Sequence, residues 1–209
     1  MLSNRDILKK ILRRIREASY VEPEDIPNID LYMDQVTTFM DEHLTNNKRH
    51  PSDKALTKTM INNYTKNRLL PPPVKKKYSK EHMLLLLFIY YFKNLLSFSD
   101  IENIFKPITN LHFSNKDKSG IDLEDIYKEV LRLNKPDVYE LQKDIIRKFK
   151  KANNSFEDAD SKQREKLILF AFICDLAFDV YMKKQIIDGL EIASQRGEAI
   201  MIGHVFTVD

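Results

Sequence analysis

Residues 56–78 read LTKTMINNYTKNRLLPPPVKKKY, and the reading of this stretch governs the rest of the chain. Leu56, Met60, Ile61 and Tyr64 recur at helical spacing and make one apolar stripe suited to docking on a core. Lys58, Asn62 and Lys66 fall on the other side, flanked by Thr59 and Asn63. Either Ser52 or Thr57 can cap this helix, and the local pattern leaves both open. A face of Asn, Thr and Lys without Glu offers side chains that bond base edges and phosphates. Pro71, Pro72 and Pro73 remove three amide donors, so the helix must stop by Leu70. Lys75, Lys76 and Lys77 follow on a stiffened turn, and the whole order suggests a reader of DNA.

The chain has 209 residues, 43% hydrophobic and 31% charged, enough for one good core or two modest ones. It has only four glycines, and Leu, Ile, Lys and Glu runs replace the alternating pattern of sheets, so an all-α fold with almost no strand is expected. The net charge of +3 is uninformative by itself, but its distribution is not. Residues 46–82 hold ten basic against two acidic residues, a local +8 that leaves the remainder of the chain at −5. Concentrated positive charge of this kind is the electrostatic footprint of a polyanion site.

Working outward, residues 4–18 should form an amphipathic helix with Ile7, Leu8, Ile11, Leu12 and Ile15 inside and a basic outer side. Packing is its plain role, with attachment to anionic lipid the alternative. SYVEPEDIPNID (19–30) reads as an acidic connector, and 31–44 as a helix with Val36, Phe39, Met40 and Leu44 inward. Ser79 should cap a helix to about residue 96 whose centre, MLLLLFIYYF, is hydrophobic nearly all round and should be core. Ser97 and Asp100 have capping-box spacing for a short helix that Pro107 should end. Asp122 can cap a helix to about 133, Pro136 can open another to about 150, and a long apolar helix should cover 162–189.

Residues 59–101, TMINNYTKNRLLPPPVKKKYSKEHMLLLLFIYYFKNLLSFSDI, resemble the DNA-binding domain of MerR-type transcription regulators. The resemblance lies in the order of parts: a recognition helix with a late tyrosine (Tyr64), a Leu69-Leu70-Pro71 exit, and a basic wing closing on Tyr78. A long core helix and a shorter one follow. Arg68 stands where that family usually has glycine, so a different local turn is expected, and Asn62 or Asn63 replaces the usual arginine. IDLYMDQVTTFMDEHL (29–44) with DKALTKTMINNYTKNRLLPPPVKKKYSKEH (53–82) resembles a bacterial family known only as domain of unknown function eighteen thirty-six, a resemblance that spans most of the chain. These resemblances imply a winged helix-turn-helix followed by a helical half. They divide the chain into an amphipathic helix and linker (1–30), a DNA-binding module (31–110) and a dimerisation or sensing region (111–209).

The expected function is a sequence-specific, DNA-binding transcription regulator, with helix 57–68 in the major groove and wing 71–78 on the backbone. The candidate DNA-binding residues are Thr57, Lys58, Thr59, Asn62, Asn63, Tyr64, Lys66, Arg68, Lys75, Lys76, Lys77, Tyr78 and Lys80. Tyr64 is equally suited to the core. Double-stranded DNA and a second copy of the chain are the expected partners, and an effector pocket in the C-terminal half is allowed though no residue announces one. The alternative is an interaction adaptor using the same scaffold without reading DNA, with RNA binding a weaker third.

No catalytic residue, metal site or cofactor is expected. The five histidines lack ligand spacing, and there is no phosphate-binding glycine loop or nucleophile elbow. Asn115, Asp117, Ser119 and Gly120 imitate the start of a calcium loop, but Asp122 and Ile126 occupy its hydrophobic eighth and acidic twelfth positions. Asp175 and Asp179 share a helix face and are expected to be structural. The single cysteine, Cys174, and the lack of a long apolar run point to a cytoplasmic protein without a membrane span.

Overall fold

The computed structural model describes residues 3–17, 20–48, 50, 52–110, 113, 120–134 and 137–195. It is mainly helical. Helix α1 is Asn4–Glu17, strand β1 Leu31–Tyr32, helix α2 Met33–His43 and helix α3 Lys58–Lys66. Strand β2 is Lys77–Tyr78, followed by α4 Lys80–Phe92, α5 Phe98–Thr109, α6 Leu123–Asn134, α7 Asp137–Asn153 and α8 Ser161–Gln195. The two strands pair antiparallel, Leu31 with Tyr78 and Tyr32 with Lys77, the small departure from an all-α chain. The calcium-like loop, apart from Gly120, and Pro136 lie outside the described residues, as do Arg49, His112 and His204.

Local signals account for most helix starts. Ser79 precedes α4, and Ser97 accepts from the Asp100 amide at 3.2 Å while Asp100 accepts from the Ser97 amide at 2.9 Å. Asp122 accepts from the Asp125 amide at 2.8 Å ahead of α6. Helix ends were less legible. Helix α4 stops at Phe92, short of the expected 96, and the chain tightens there into a turn in which the Leu95 and Leu96 amides both donate to the Phe92 carbonyl before Ser97 caps α5. Pro107, expected as a terminator, lies inside α5: it removes one amide donor, and the helix continues to Thr109. The Thr109 hydroxyl donates back to the Phe105 carbonyl at 3.1 Å.

Two cores organise the chain. The first surrounds α4, whose residues from Met83 to Ile89 are all buried. Val36, Phe39, Met40 and Leu44 cover it from α2, Ile61 and Tyr64 from α3, and Leu123, Tyr127 and Leu131 from α6. Val21 and Ile26 also belong to it, and the Tyr127 hydroxyl donates to the Val21 carbonyl at 2.8 Å. The segment expected as a connector is therefore core structure. The second core joins Leu8 of α1 to Ile145 and Ala152 of α7 and to Ile168 and Phe172 of α8. The apolar face of α1 thus packs on elements more than a hundred residues later in the sequence, while Arg14 on its polar side donates to the Lys48 carbonyl.

Asp41 fastens the loop that leads into α3. Its carboxylate accepts from Lys54 at 2.7 Å and the Ala55 amide at 2.9 Å, and pairs with the nearly buried Lys48 at 3.0 Å. Burial raises its pKa, but the hydrogen bonds from Lys54, Ala55 and Lys48 outweigh this and bring it to about 2. A depressed carboxylate stabilises the fold above its unfolded pKa and loses that contribution as pH falls. Urea melts should show stability falling from about pH 4 towards pH 2 in the wild type. Asp41→Asn should lower stability by about 1–3 kcal/mol at neutral pH and flatten that acid slope.

Candidate nucleic-acid interface

Helix α3 presents Lys58, Thr59, Asn62, Asn63 and Lys66 to solvent while Ile61 and Tyr64 are buried. Of the two candidate caps the structure uses Thr57, whose hydroxyl accepts from the Met60 amide at 3.2 Å. At the other end the Leu69 amide donates to the Tyr64 carbonyl at 2.9 Å and the Arg68 amide to that of Thr65 at 3.2 Å. These are the two bonds of a Schellman motif, which requires a left-handed residue at the position of Arg68. Arg68 has φ 60°, so it takes up the left-handed conformation that favours glycine.

After the prolines the chain makes a second turn with left-handed residues. The Val74 amide donates to the Lys77 carbonyl at 3.1 Å and the Lys77 amide to that of Val74 at 2.9 Å. Lys75 and Lys76 occupy the centre with φ of 49° and 64°, the paired positive values of a type I′ turn that favours Asn-Gly. Three of the four non-glycine residues with positive φ among the described residues are thus exposed basic side chains beside α3. Each left-handed placement costs about 1 kcal/mol relative to glycine.

Ion pairing sorts the cations of the basic window. Lys48 and Lys54 are held by Asp41, Lys58 by Asp34, and Lys80 by Glu124 at 2.8 Å. Lys66, Arg68, Lys75, Lys76 and Lys77 have no ion pair among the described residues. The Lys58–Asp34 pair is exposed on both sides and hence weak, so Lys58 can exchange Asp34 for a phosphate at little cost.

Tyr64 and Tyr78 need correction. They are 2% and 3% exposed, so both are core side chains that support the surface from beneath. Burial raises the pKa of each hydroxyl. The aromatic residue that does reach the surface is Tyr32, 54% exposed, with Lys77 Nζ 5.2 Å above its ring. Asp34, in the first turn of α2, holds Lys58 at the start of α3, so Tyr32 and Asp34 bring the turn and the helix to the same end of α2. Sequence reasoning missed Tyr32 because its place depends on the pairing of β1 with β2, which are more than forty residues apart.

Elsewhere the polar groups are engaged structurally. An open groove of about 410 Å³ between α2 and α3 has a lining of mixed sign, with Asp41 and Glu42 facing Lys54 and Lys58. Asp179 pairs with Lys148 at 3.0 Å and with Lys183 at 3.3 Å, as the structural reading anticipated. Asp100, Asp188 and Glu191 lie within 4.8 Å of one another, but Lys184 bridges the two aspartates and the Asn103 amide donates to Glu191 at 3.0 Å. That cluster braces α5 against α8.

These features define a mainly helical protein whose first core, Val21 to Leu131, carries a basic turn and an Asn/Thr/Lys helix on its surface. Residues 21–130 match the model of a protein family, domain of unknown function DUF1836, and the chain belongs to that family. The matched span coincides with the first core, so the family unit is the one built around α4. No curated protein and no solved structure matches the chain. Among the described residues, no helix is long and apolar enough to cross a membrane.

One buried titratable group underlies the basic turn. His82, 3% exposed, accepts the Ser79 amide at Nδ1 (3.1 Å), which places its proton on Nε2, facing the Pro71 and Pro72 carbonyls without a full hydrogen bond. Burial lowers its pKa, and the Pro72 carbonyl opposes this only in part. A histidine kept neutral in the fold stabilises it above the unfolded value of about 6.5 and loses that contribution as pH falls. Thermal melts should therefore show Tm dropping between about pH 7.5 and 5.5 in the wild type. His82→Gln keeps a capping acceptor and should reduce that slope; parallel slopes would sink the assignment.

Proposed function

We propose that the protein is a sequence-specific DNA-binding transcription regulator with a MerR-like winged helix-turn-helix, acting as a twofold dimer. In this reading α3 enters the major groove with Thr59, Asn62 and Asn63 towards base edges. Lys66, Arg68, Lys75, Lys76 and Lys77 neutralise phosphate and fix the register without reading sequence. About five such contacts correspond to a salt slope of roughly −4 to −5 in log affinity against log salt.

The observation that carries this reading is the left-handed placement of Arg68, Lys75 and Lys76. A turn selected for stability alone would hold glycine or asparagine at these positions. Strained backbone bearing unpaired charge is characteristic of sites kept for binding. The exposed face of α3, free of acidic residues, precedes both turns and runs directly into the first.

Selection from random duplexes at about 150 mM salt, with competitor DNA present, tests the reading. Enrichment of a palindromic motif is expected, whereas a well-folded protein that enriches none would favour an adaptor binding an acidic protein surface. The double substitution Lys75→Asn/Lys76→Gly separates fold from function. It should raise Tm by about 2–4 °C while lowering DNA affinity at least ~10-fold on every sequence. Unchanged affinity with raised Tm would remove the turn from the interface. Asn62→Ala and Asn63→Ala should instead alter base preference, by about 1–3 kcal/mol at the contacted position.

A further inference from the structure

Among the described residues, helix α8 is the longest run in which large apolar side chains face solvent in series. Ten of them lie exposed between residues 170 and 192, including Phe170 at 63% and Phe178 at 68%. Ile173, Tyr181, Met182 and Ile186 continue the surface along the helix. Phe172 and Ile168 are buried in the second core, so α8 is apolar on its packed side and on its free side alike. A helix apolar all round is normally covered all round.

We infer that a second copy of this chain covers the exposed face of α8, joining two chains through paired α8 helices. The charged side chains along this stretch are largely satisfied within the chain. Asp179 is tied to Lys148 and Lys183, Lys184 to Asp100 and Asp188, and Glu191 to Asn103. No unpaired cation remains on the stretch to attract nucleic acid or an acidic peptide, so the occupant must itself be apolar. A twofold pairing supplies such a surface, since an isologous interface sets the same patch against itself. The ten side chains are spread around the helix, and those on one side, Phe170, Ile173, Phe178, Tyr181 and Ile192, expose on the order of 600 Å², which meets the apolar share of the roughly 800 Å² per partner of a stable interface. The same helix reaches the first core through Asn103–Glu191 and Lys184–Asp100, so the pairing would also orient the two α5 helices and the α3 surfaces beyond them. The inference rests on α8 alone, and it names the contact behind the dimer proposed above.

Sedimentation equilibrium of the full chain between about 1 and 100 µM, without DNA, tests it. The wild type should approach twice 24.7 kDa. Phe178→Glu/Tyr181→Glu should remain near 24.7 kDa with an unchanged helical melt, since both side chains are exposed. A monomeric wild type, or a double variant that still dimerises, would overturn the inference. If the wild type is monomeric and a chain ending at residue 195 dimerises, the final residues occupy the face in place of a second copy. Alkylation of Cys174, the single cysteine, gives a readout free of mutation. It sits four residues from both Phe170 and Phe178, so its rate should fall several-fold as concentration passes through the dimer range; a constant rate overturns the pairing. A dimer that enriches no DNA motif leaves this interface standing and removes the proposed function. A monomer that enriches one does the reverse.

Discussion

The rest of the first core depends on one constraint, the burial of α4 on every side. Seven consecutive residues, Met83 to Ile89, are buried, and a helix presents seven consecutive side chains to all directions around its axis. No single neighbour can cover such a helix. The chain meets the requirement with α2, α3, α5, α6 and the segment carrying Val21 and Ile26. Each large aliphatic side chain so buried contributes about 1.5–3 kcal/mol, which offsets the ordering of short elements that would not be stable alone. The position of α3 follows from the same constraint, because the apolar stripe that docks on this core fixes which residues face outward.

Charge then divides into two kinds of work. Asp34, Asp41 and Glu124 hold Lys58, Lys48, Lys54 and Lys80, which ties α3, its preceding loop and the start of α4 to the framework. Three of the five cations left over, Arg68, Lys75 and Lys76, stand at tight turns, where the backbone is least favourable for them. His82 links the two groups physically: beneath the turn it caps α4 through Ser79 and packs edge-on against Tyr78 at 5.7 Å between ring centroids. Its neutral, buried ring couples the support of the basic turn to the integrity of the core helix.

Much of the local architecture was legible in the residues. The inward face of α2, the burial of Ile61, the caps at Ser79, Ser97 and Asp122, and the outward Thr59, Asn62, Asn63 and Lys66 all follow from periodicity and capping chemistry. The continuation of α5 past Pro107 was not, because proline removes only its own amide bond, and the Asn110 amide still donates to the Lys106 carbonyl. Nor was the conformation of Arg68, where the Schellman hydrogen bonds and the packing of Leu69 and Leu70 override the preference for glycine.

By itself the sequence determined which segments are helical, which face of each is apolar and where positive charge is concentrated, since these depend on contacts within a few residues. Tertiary structure decided what those faces meet. It placed α1 with α7 and α8, drew Val21 and Ile26 into the core, and brought Tyr32 beside Lys77 through strands distant in sequence. It also decided which lysines are neutralised, because Asp34, Asp41 and Glu124 come from other elements. Pairings of this kind depend on how distant surfaces close over α4, and no local spacing encodes that closure.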